Sequence, residues 1–481
     1  MSIDAAPLLF NAFVMNTPSH VAHGLWRLPE AQNHEIDSLT HWTDLARNVE
    51  AAGFDLLFFA DVVGLRAPWN GTFDLAVEEG IQIPVNDPSV LMTALAAVTT
   101  RLGLVFTSSI AQSLPFDFAR RVSSLDHYTG GRIGWNIVTS FSDNVYRNFG
   151  YERLLEHDER YRLAEEYVDV LYKLWEGSWD DDALEQDKEG VYADPTKIHA
   201  IDHVSEHYSV AGPHLVAPSP QRTPLLFQAG ASPAGQSFSA RHAEGVFISS
   251  PTPEAARRLI DETRTIARRN GREPRDVNFF QGLSFVVGAT PDEARAKAAY
   301  YDEHTSLEGL ALHALGDAGV DAGGLPLDTP LSELGEFRGV QGARRWAAEA
   351  SGHDEPTIRD LATVFLTASR IVGTAHEIAD RLEEWRDAGV TGVNVTHNTR
   401  PGTFVELGRE LLPTLRERGL ARPLDQDARG RTLRHLLSGR DRLPDAHPAA
   451  RYRGAFGATS LHEPAPSTAS ASASAAVGST L

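Results

Sequence analysis

The sequence has no cysteine in 481 residues. That excludes disulfides, thiolate metal centres and a cysteine nucleophile, and it fits a reducing cytosol. Long apolar runs are also missing: no stretch reaches the ~18 residues a membrane helix needs, and the N-terminus lacks a basic segment followed by an apolar one. A soluble, cytoplasmic protein is expected. Basic residues are in deficit, with 44 Lys and Arg against 65 Asp and Glu, a formal net charge of −21. Such a balance argues against a general nucleic-acid or anionic-membrane surface, while leaving room for a local basic pocket. Zinc-protease, P-loop, nucleophile-elbow and dinucleotide-binding signatures are all absent. There is no solenoid-type repeat.

What is present is an alternation of short apolar segments with amphipathic ones. Strands are predicted at Leu8 to Met15, Asp55 to Asp61, Leu102 to Ser109, Ile133 to Ser140, Leu225 to Gly230, Gly245 to Ser250, Asn278 to Gly288 and Val390 to Thr396. Helical spacing lies between them, as in Leu39, Trp42, Leu45, Ala46 and Val49, which end at Gly53. Eight strands alternating with helices is the count of an α/β protein of the (β/α)8 TIM-barrel class. One domain is expected over residues 1–437, with insertions at about 62–88, 177–223 and 304–370, and a closing helix from Phe404 to Arg418. The Ala/Ser/Thr/Pro-rich segment 454–481 is expected to be a disordered tail.

Strands two to five are apolar first and polar last. They end at Asp61, at Thr107 and Ser108, at Asn136, Thr139 and Ser140, and at Ala229 and Gly230. In a barrel of this class the C-terminal ends of the strands carry the chemistry, so these groups form a candidate ligand site. Ser232-Pro233 opens the following helix; it is either a simple cap or a helix start presenting N–H groups to phosphate. His157 and Tyr161, four residues apart, share one helix face and are either a structural pair or two ligand donors. His199, His203 and His207 repeat at helical spacing, but their loop-like context and the lack of a carboxylate in register speak against metal.

Four motifs in this order carry a resemblance: Phe58-Phe-Ala-Asp61; Ser124-Leu-Asp-His-Tyr-Thr-Gly-Gly-Arg-Ile-Gly-Trp-Asn-Ile-Val-Thr-Ser140; His157-Asp-Glu-Arg-Tyr161; and Gln228-Ala-Gly-Ala-Ser-Pro-Ala-Gly235. From about Leu8 to Leu437 the chain resembles the bacterial-luciferase-like flavin monooxygenases, in the branch of the nitrilotriacetate and dibenzothiophene-sulfone monooxygenases. The resemblance implies a TIM barrel using reduced FMN, supplied by a separate NAD(P)H-dependent flavin reductase, with O2 as co-substrate. It implies a flavin (hydro)peroxide that transfers one oxygen atom to a small organic substrate, and a homodimer or homotetramer. Carried over by position, Asp61 and Thr107 would meet the flavin ring and Asn136 its polar edge. Thr139, Ser140, His157, Tyr161 and Ser232 would reach the ribityl chain and phosphate. His20, after the first strand, and His313, in the 304–370 insertion, would face the substrate as candidate catalytic residues. The alternatives are hydride transfer with deazaflavin F420 on a related barrel and a non-catalytic flavin-binding homologue.

Overall fold

The computed structural model describes residues 6–140, 142–230, 232–317, 319–334, 338–424 and 430–457. Eight parallel strands form the barrel: β1 (Leu9–Met15), β2 (Leu56–Ala60), β3 (Gly103–Ser109), β4 (Ile133–Val138), β5 (Leu225–Ala229), β6 (Gly245–Ile248), β7 (Asn278–Val287) and β8 (Gly392–Thr396). Each pairs with its sequence neighbour, and β8 pairs back onto β1 through Leu9↔Gly392 to Phe13↔Thr396, so no open edge remains in the ring. The expected barrel is the observed one.

Alternation along the strands sorts side chains into two cores. Leu9, Phe13, Leu56, Phe58, Val105, Leu225, Phe227 and Phe280 fill the barrel interior, whereas Phe10, Ala12, Val14, Leu57, Phe59, Trp135 and Ile137 pack outward against the helices. The base of the interior is closed by Leu433, from the short helix Leu433–Ser438. A Cβ on Gly103 would stand 2.5 Å from Leu433 Cδ1, so glycine at the start of β3 makes room for this plug. Next to it Arg434 is fully buried, donating to both Glu244 oxygens at 2.7 and 3.0 Å and to the carbonyls of Thr223 and Pro224. A buried charge needs such pairing to be tolerated.

The structure departs from the sequence reading in two places. The closing helix is broken into Gly402–Glu410 and Leu412–Glu417, because Pro413 has no N–H to continue the ladder. An unanticipated short strand, Arg370–Gly373, extends the sheet by pairing with the long C-terminal end of β7. Of the segment 454–481, expected to be disordered, residues 458–481 lie outside the described residues; before them Phe456 stacks on Tyr452 at 6.1 Å. The insertions are tied together over the C-terminal mouth: the Asp321 carboxylate accepts the N–H groups of Asn70 and Gly71, each at 2.7 Å. Among the described residues no helix is long and apolar enough to cross a membrane.

Candidate active site

At the C-terminal mouth lies a cavity of about 410 Å³, bordered by Asp61, Thr107, Thr139, Ser140, His157, Tyr161 and Ser232. Its size falls in the ~300–1,000 Å³ range common for cofactor sites. Seven of the eight residues proposed as cofactor contacts thus surround one space, delivered by β2, β3, β4, β5 and the helices after β4 and β5. The eighth, Asn136, sits beneath the floor. It is the register partner of Thr107, to which its Nδ2 donates at 2.9 Å, and Thr107 in turn donates to the Phe59 carbonyl at 2.8 Å.

Asp61 directly follows β2, where the sheet stops and the chain leaves for the 62–88 insertion. Burial, reinforced by the nearby Asp87 carboxylate, pushes its carboxyl up to about 7; hydrogen bonds from the Val62 N–H and the Gln112 side chain oppose the rise. Gln112 went unnoticed in the sequence. Its Oε1 accepts from both the Ser108 hydroxyl and the Ser109 N–H at 2.6 Å, holding the end of β3 against the Asp61 side of the cavity.

The opposite end is built on the helix Pro233–His242. Ser232 caps it, its hydroxyl accepting the Gly235 N–H at 3.1 Å while lying 3.1 Å from His157 Nε2. The Tyr161 ring sits 5.2 Å from His157, and its hydroxyl accepts from Gln228 Nε2 at 3.4 Å. A Cβ on Gly230 or on Gly235 would come within 2.8 Å of the Tyr161 oxygen, so both glycines keep this cradle open. Arg160, also missed, borders the same space and donates to the carbonyl of Ser140, which adopts a left-handed φ of 56°. The signal for Arg160 was in the motif His157-Asp-Glu-Arg-Tyr161, since i and i+3 share a helix face.

His20 and His313 are not on this cavity wall. They belong to a buried group over the ends of β1 and β8. The His20 ring packs edge-on to Phe13 at 4.8 Å and lies 6.2 Å from His397, while His313 Nδ1 lies 2.8 Å from His23 Nε2. Desolvation and the charge of Arg400 hold His20 down to about 3; desolvation and Arg66 do the same to His23 and pull His313 well below its ordinary value. These rings are neutral at any physiological pH. His397, directly after β8, shares the polar-strand-end signal and could have been found from it. A second space of about 350 Å³ borders Arg66 and Gly316 and shares Ser142 with the first, but none of these histidines lines it.

Of the histidine triplet, His199 lies 3.1 Å from Asp180, His203 2.8 Å from Lys173 Nζ and His207 3.1 Å from Glu166. Carboxylates from other segments stand near all three, Asp169 lying 3.8 Å from His203. Among the described residues they share no centre: Glu166, Glu206 and His207 alone approach within 4.8 Å of one another, on an exposed surface.

Two features of the cavity and its floor suit a polar guest. Asn136 Oδ1 and Gln228 Oε1 are buried without a hydrogen-bond partner, a condition proteins rarely leave unanswered. The capped helix start with His157, Arg160 and Tyr161 offers donors to an anion at one end, and the carboxyl and hydroxyl of Asp61 and Thr107 address a ring at the other. A phosphorylated ring cofactor such as FMN fits this donor set.

Comparison with known proteins agrees. The family profile of the luciferase-like monooxygenases matches residues 19–392. The long-chain alkane monooxygenase of Geobacillus thermodenitrificans is 42% identical over 447 residues, 92% of this chain and 97% of that protein. Dibenzothiophene-sulfone monooxygenase of Rhodococcus erythropolis and nitrilotriacetate monooxygenase component A of Aminobacter aminovorans match at 34% and 32% identity, over 86% and 90% of this chain and 93% and 97% of theirs. The crystal structure of DmoA from Hyphomicrobium sulfonivorans matches with TM-score 0.88 at 37% identity, covering 96% of this chain and 99% of that one. A riboflavin lyase crystallised with modified FMN matches with TM-score 0.82 at 35% identity, over 93% and 99% of the two chains. With its barrel, its mouth cavity and its sequence all of one kind, the chain belongs to the luciferase-like monooxygenase family and is a monooxygenase of that class.

Proposed function

We propose that this protein is the oxygenase component of a two-component system. It takes reduced FMN from a separate NAD(P)H-dependent flavin reductase in the cytoplasm and inserts one atom of O2 into a small, neutral, apolar organic molecule. The observation that carries the reading is the two-ended cavity: an anion-binding helix start at Ser232 and a carboxyl-hydroxyl pair, Asp61 and Thr107, at the far end. When bound, reduced flavin supplies the two electrons that activate O2, one oxygen atom going to substrate and the other to water.

In this reading Ser232, His157, Arg160 and Tyr161 hold the phosphate and ribityl chain. Asp61 and Thr107 orient the ring, and Asn136 holds Thr107 in place from beneath. Val62, Val63, Val138 and Val145 on the wall exclude water, which protects reactive oxygen from being lost as H2O2. The insertions latched by Asp321 cover the mouth. His313 and His20, neutral and buried, offer hydrogen bonds to oxygen or substrate without adding charge. The aliphatic wall favours a neutral substrate, and the alkane and DmoA relatives, which act by name on alkanes and, for the 38%-identical Hyphomicrobium enzyme, on dimethyl sulfide, point the same way.

The test is anaerobic titration with reduced FMN, then mixing with 18O2 and a panel of n-alkanes, dialkyl sulfides and polycarboxylates. Incorporation of one 18O into a neutral member is expected. Tight flavin binding with only H2O2 formed across the whole panel would refute the oxygenase reading, and incorporation into polycarboxylates alone would refute the substrate class.

A further inference from the structure

We propose that the base of the barrel, the end away from the mouth cavity, holds a second binding site for a carboxylate with an apolar body. Arg101 and Arg422 take its anionic head, and a leucine-lined wall takes its chain.

The site is a cavity of about 710 Å³, within the ~300–1,000 Å³ common for small-molecule sites. It lies where three consecutive strands begin. Asp55 directly precedes β2, Arg101 stands just before β3, and Arg132 directly precedes β4. The chain beyond the last barrel helix supplies the remaining wall, with Arg422 and Leu424 and then Leu436 and Leu437 of the helix Leu433–Ser438. Leu433, the plug of the barrel base, also borders the cavity, so the packed barrel interior separates it from the mouth.

The charge of this cavity runs against that of the chain. The sequence carries a net −21, yet Asp55 is the sole carboxylate lining the cavity among the described residues, beside several arginines. Arg132 is fully engaged, its N–H donors going to the Thr99 hydroxyl and to the carbonyls of Ala96, Thr99, Leu102 and Thr129. Arg101 and Arg422 are not. Arg101 Nη2 donates to the Glu50 carbonyl and Arg422 Nη1 to the Leu436 carbonyl, and among the described residues neither forms an ion pair. Most of the donors of each guanidinium fork are left for a guest. Nearby carboxylates do not answer them. Glu50 Oε1 accepts the N–H groups of Thr100, Arg101 and Leu102. Asp55 Oδ2 accepts the Phe10 N–H at 2.8 Å, and burial pushes its carboxyl up to about 6 against the pull of Arg422, Arg416 and Arg101. His435, also on the wall, has Asp441 3.5 Å away.

Much of the remaining wall is apolar. Phe54 and Pro423 join the three leucines there, and Leu424 is 48% exposed. A guanidinium fork matches a carboxylate in shape and charge, and leucine surface gains by being covered. A mineral anion would leave the leucines wet, and a neutral chain would leave the arginines unanswered. An amphiphilic carboxylate satisfies both.

The experiment is isothermal calorimetry on the full chain with sodium octanoate and, as the head group without the chain, sodium acetate. One octanoate per chain is expected at this site, with acetate bound at least tenfold more weakly. Arg422→Gln and Arg101→Gln should each weaken octanoate about tenfold by removing a charge-assisted contact. Leu424→Glu, which keeps both arginines and sets a like charge against the guest, should weaken it at least as much. The two arginines lie on different segments, so misfolding of one variant leaves the other to decide. Octanoate affinity unchanged in the arginine variants would place the guest elsewhere and overturn the proposal, as would the absence of octanoate binding. Acetate bound as tightly as octanoate would show that the leucines take no part and would overturn the ligand class.

Discussion

Replacing Asp61 by asparagine should make the protein more stable, by a margin that grows as pH rises from about 4 to about 7. Burial and Asp87 lift the Asp61 carboxyl from 3.8 to about 7. The folded state therefore binds a proton that the unfolded chain has already released, and stability falls as pH rises from about 4 to about 7. Each pH unit in that window is worth about 1.4 kcal/mol, which caps the cost of an ionised Asp61 at about 4 kcal/mol. The side chain lines an open cavity and receives bonds from Val62 and Gln112, so a realised cost of about 2 kcal/mol is expected. Asparagine keeps the shape and cannot ionise. Urea unfolding of the flavin-free protein and of Asp61→Asn between pH 4 and 9 should give near-equal stabilities at pH 4 and a gap, in favour of the variant, that opens with rising pH and levels off at about 2 kcal/mol by pH 8 to 9. A gap that does not change with pH, or a variant less stable at pH 9, would show that the carboxylate is favourably held in its ionised form, and the account of this end of the cavity would be wrong.

Other perturbations separate the phosphate end, the plug and the buried ion pair. Ser232→Ala removes the cap on Gly235 N–H and the partner of His157; calorimetric affinity for FMN should drop about tenfold while that for riboflavin, lacking phosphate, stays within a factor of two. Equal losses for both ligands would place the phosphate elsewhere. Leu433→Ala should cost about 2–4 kcal/mol in unfolding free energy, since the barrel base has no side chain ready to fill the void; a loss below about 1 kcal/mol would mean that the plug is dispensable. Glu244→Gln leaves Arg434 with a buried, uncompensated charge and should cost about 3–5 kcal/mol, more than the double change Glu244→Gln with Arg434→Met. A double variant as unstable as the sum of the two single ones would contradict that coupling.

The sequence by itself determined the barrel and the strand-end half of the site. Strands one to eight were legible because burial on both faces forces continuous apolar runs, and a strand leaving the sheet at the barrel mouth shows its polar residues in order, as Asp61, Thr107 and Ser140 do. The helix start at Ser232 was legible because capping is written in adjacent residues. Pro413, which breaks the closing helix, was equally local and was passed over. Tertiary structure decided what depends on distant segments meeting. Gln112 reaches Asp61 across the end of a strand, and Arg160 reaches the Ser140 carbonyl only once the helix after β4 is docked. Leu433 finds the barrel base from a segment some three hundred residues beyond Gly103. The separation of His20 and His313 from the first cavity, and the link of His313 to His23, followed from how the loop after β1 and the helix Leu307–Asp317 pack. Periodicity tells each residue which face of its own element it occupies; which other element that face will meet is settled by the close packing of the whole chain.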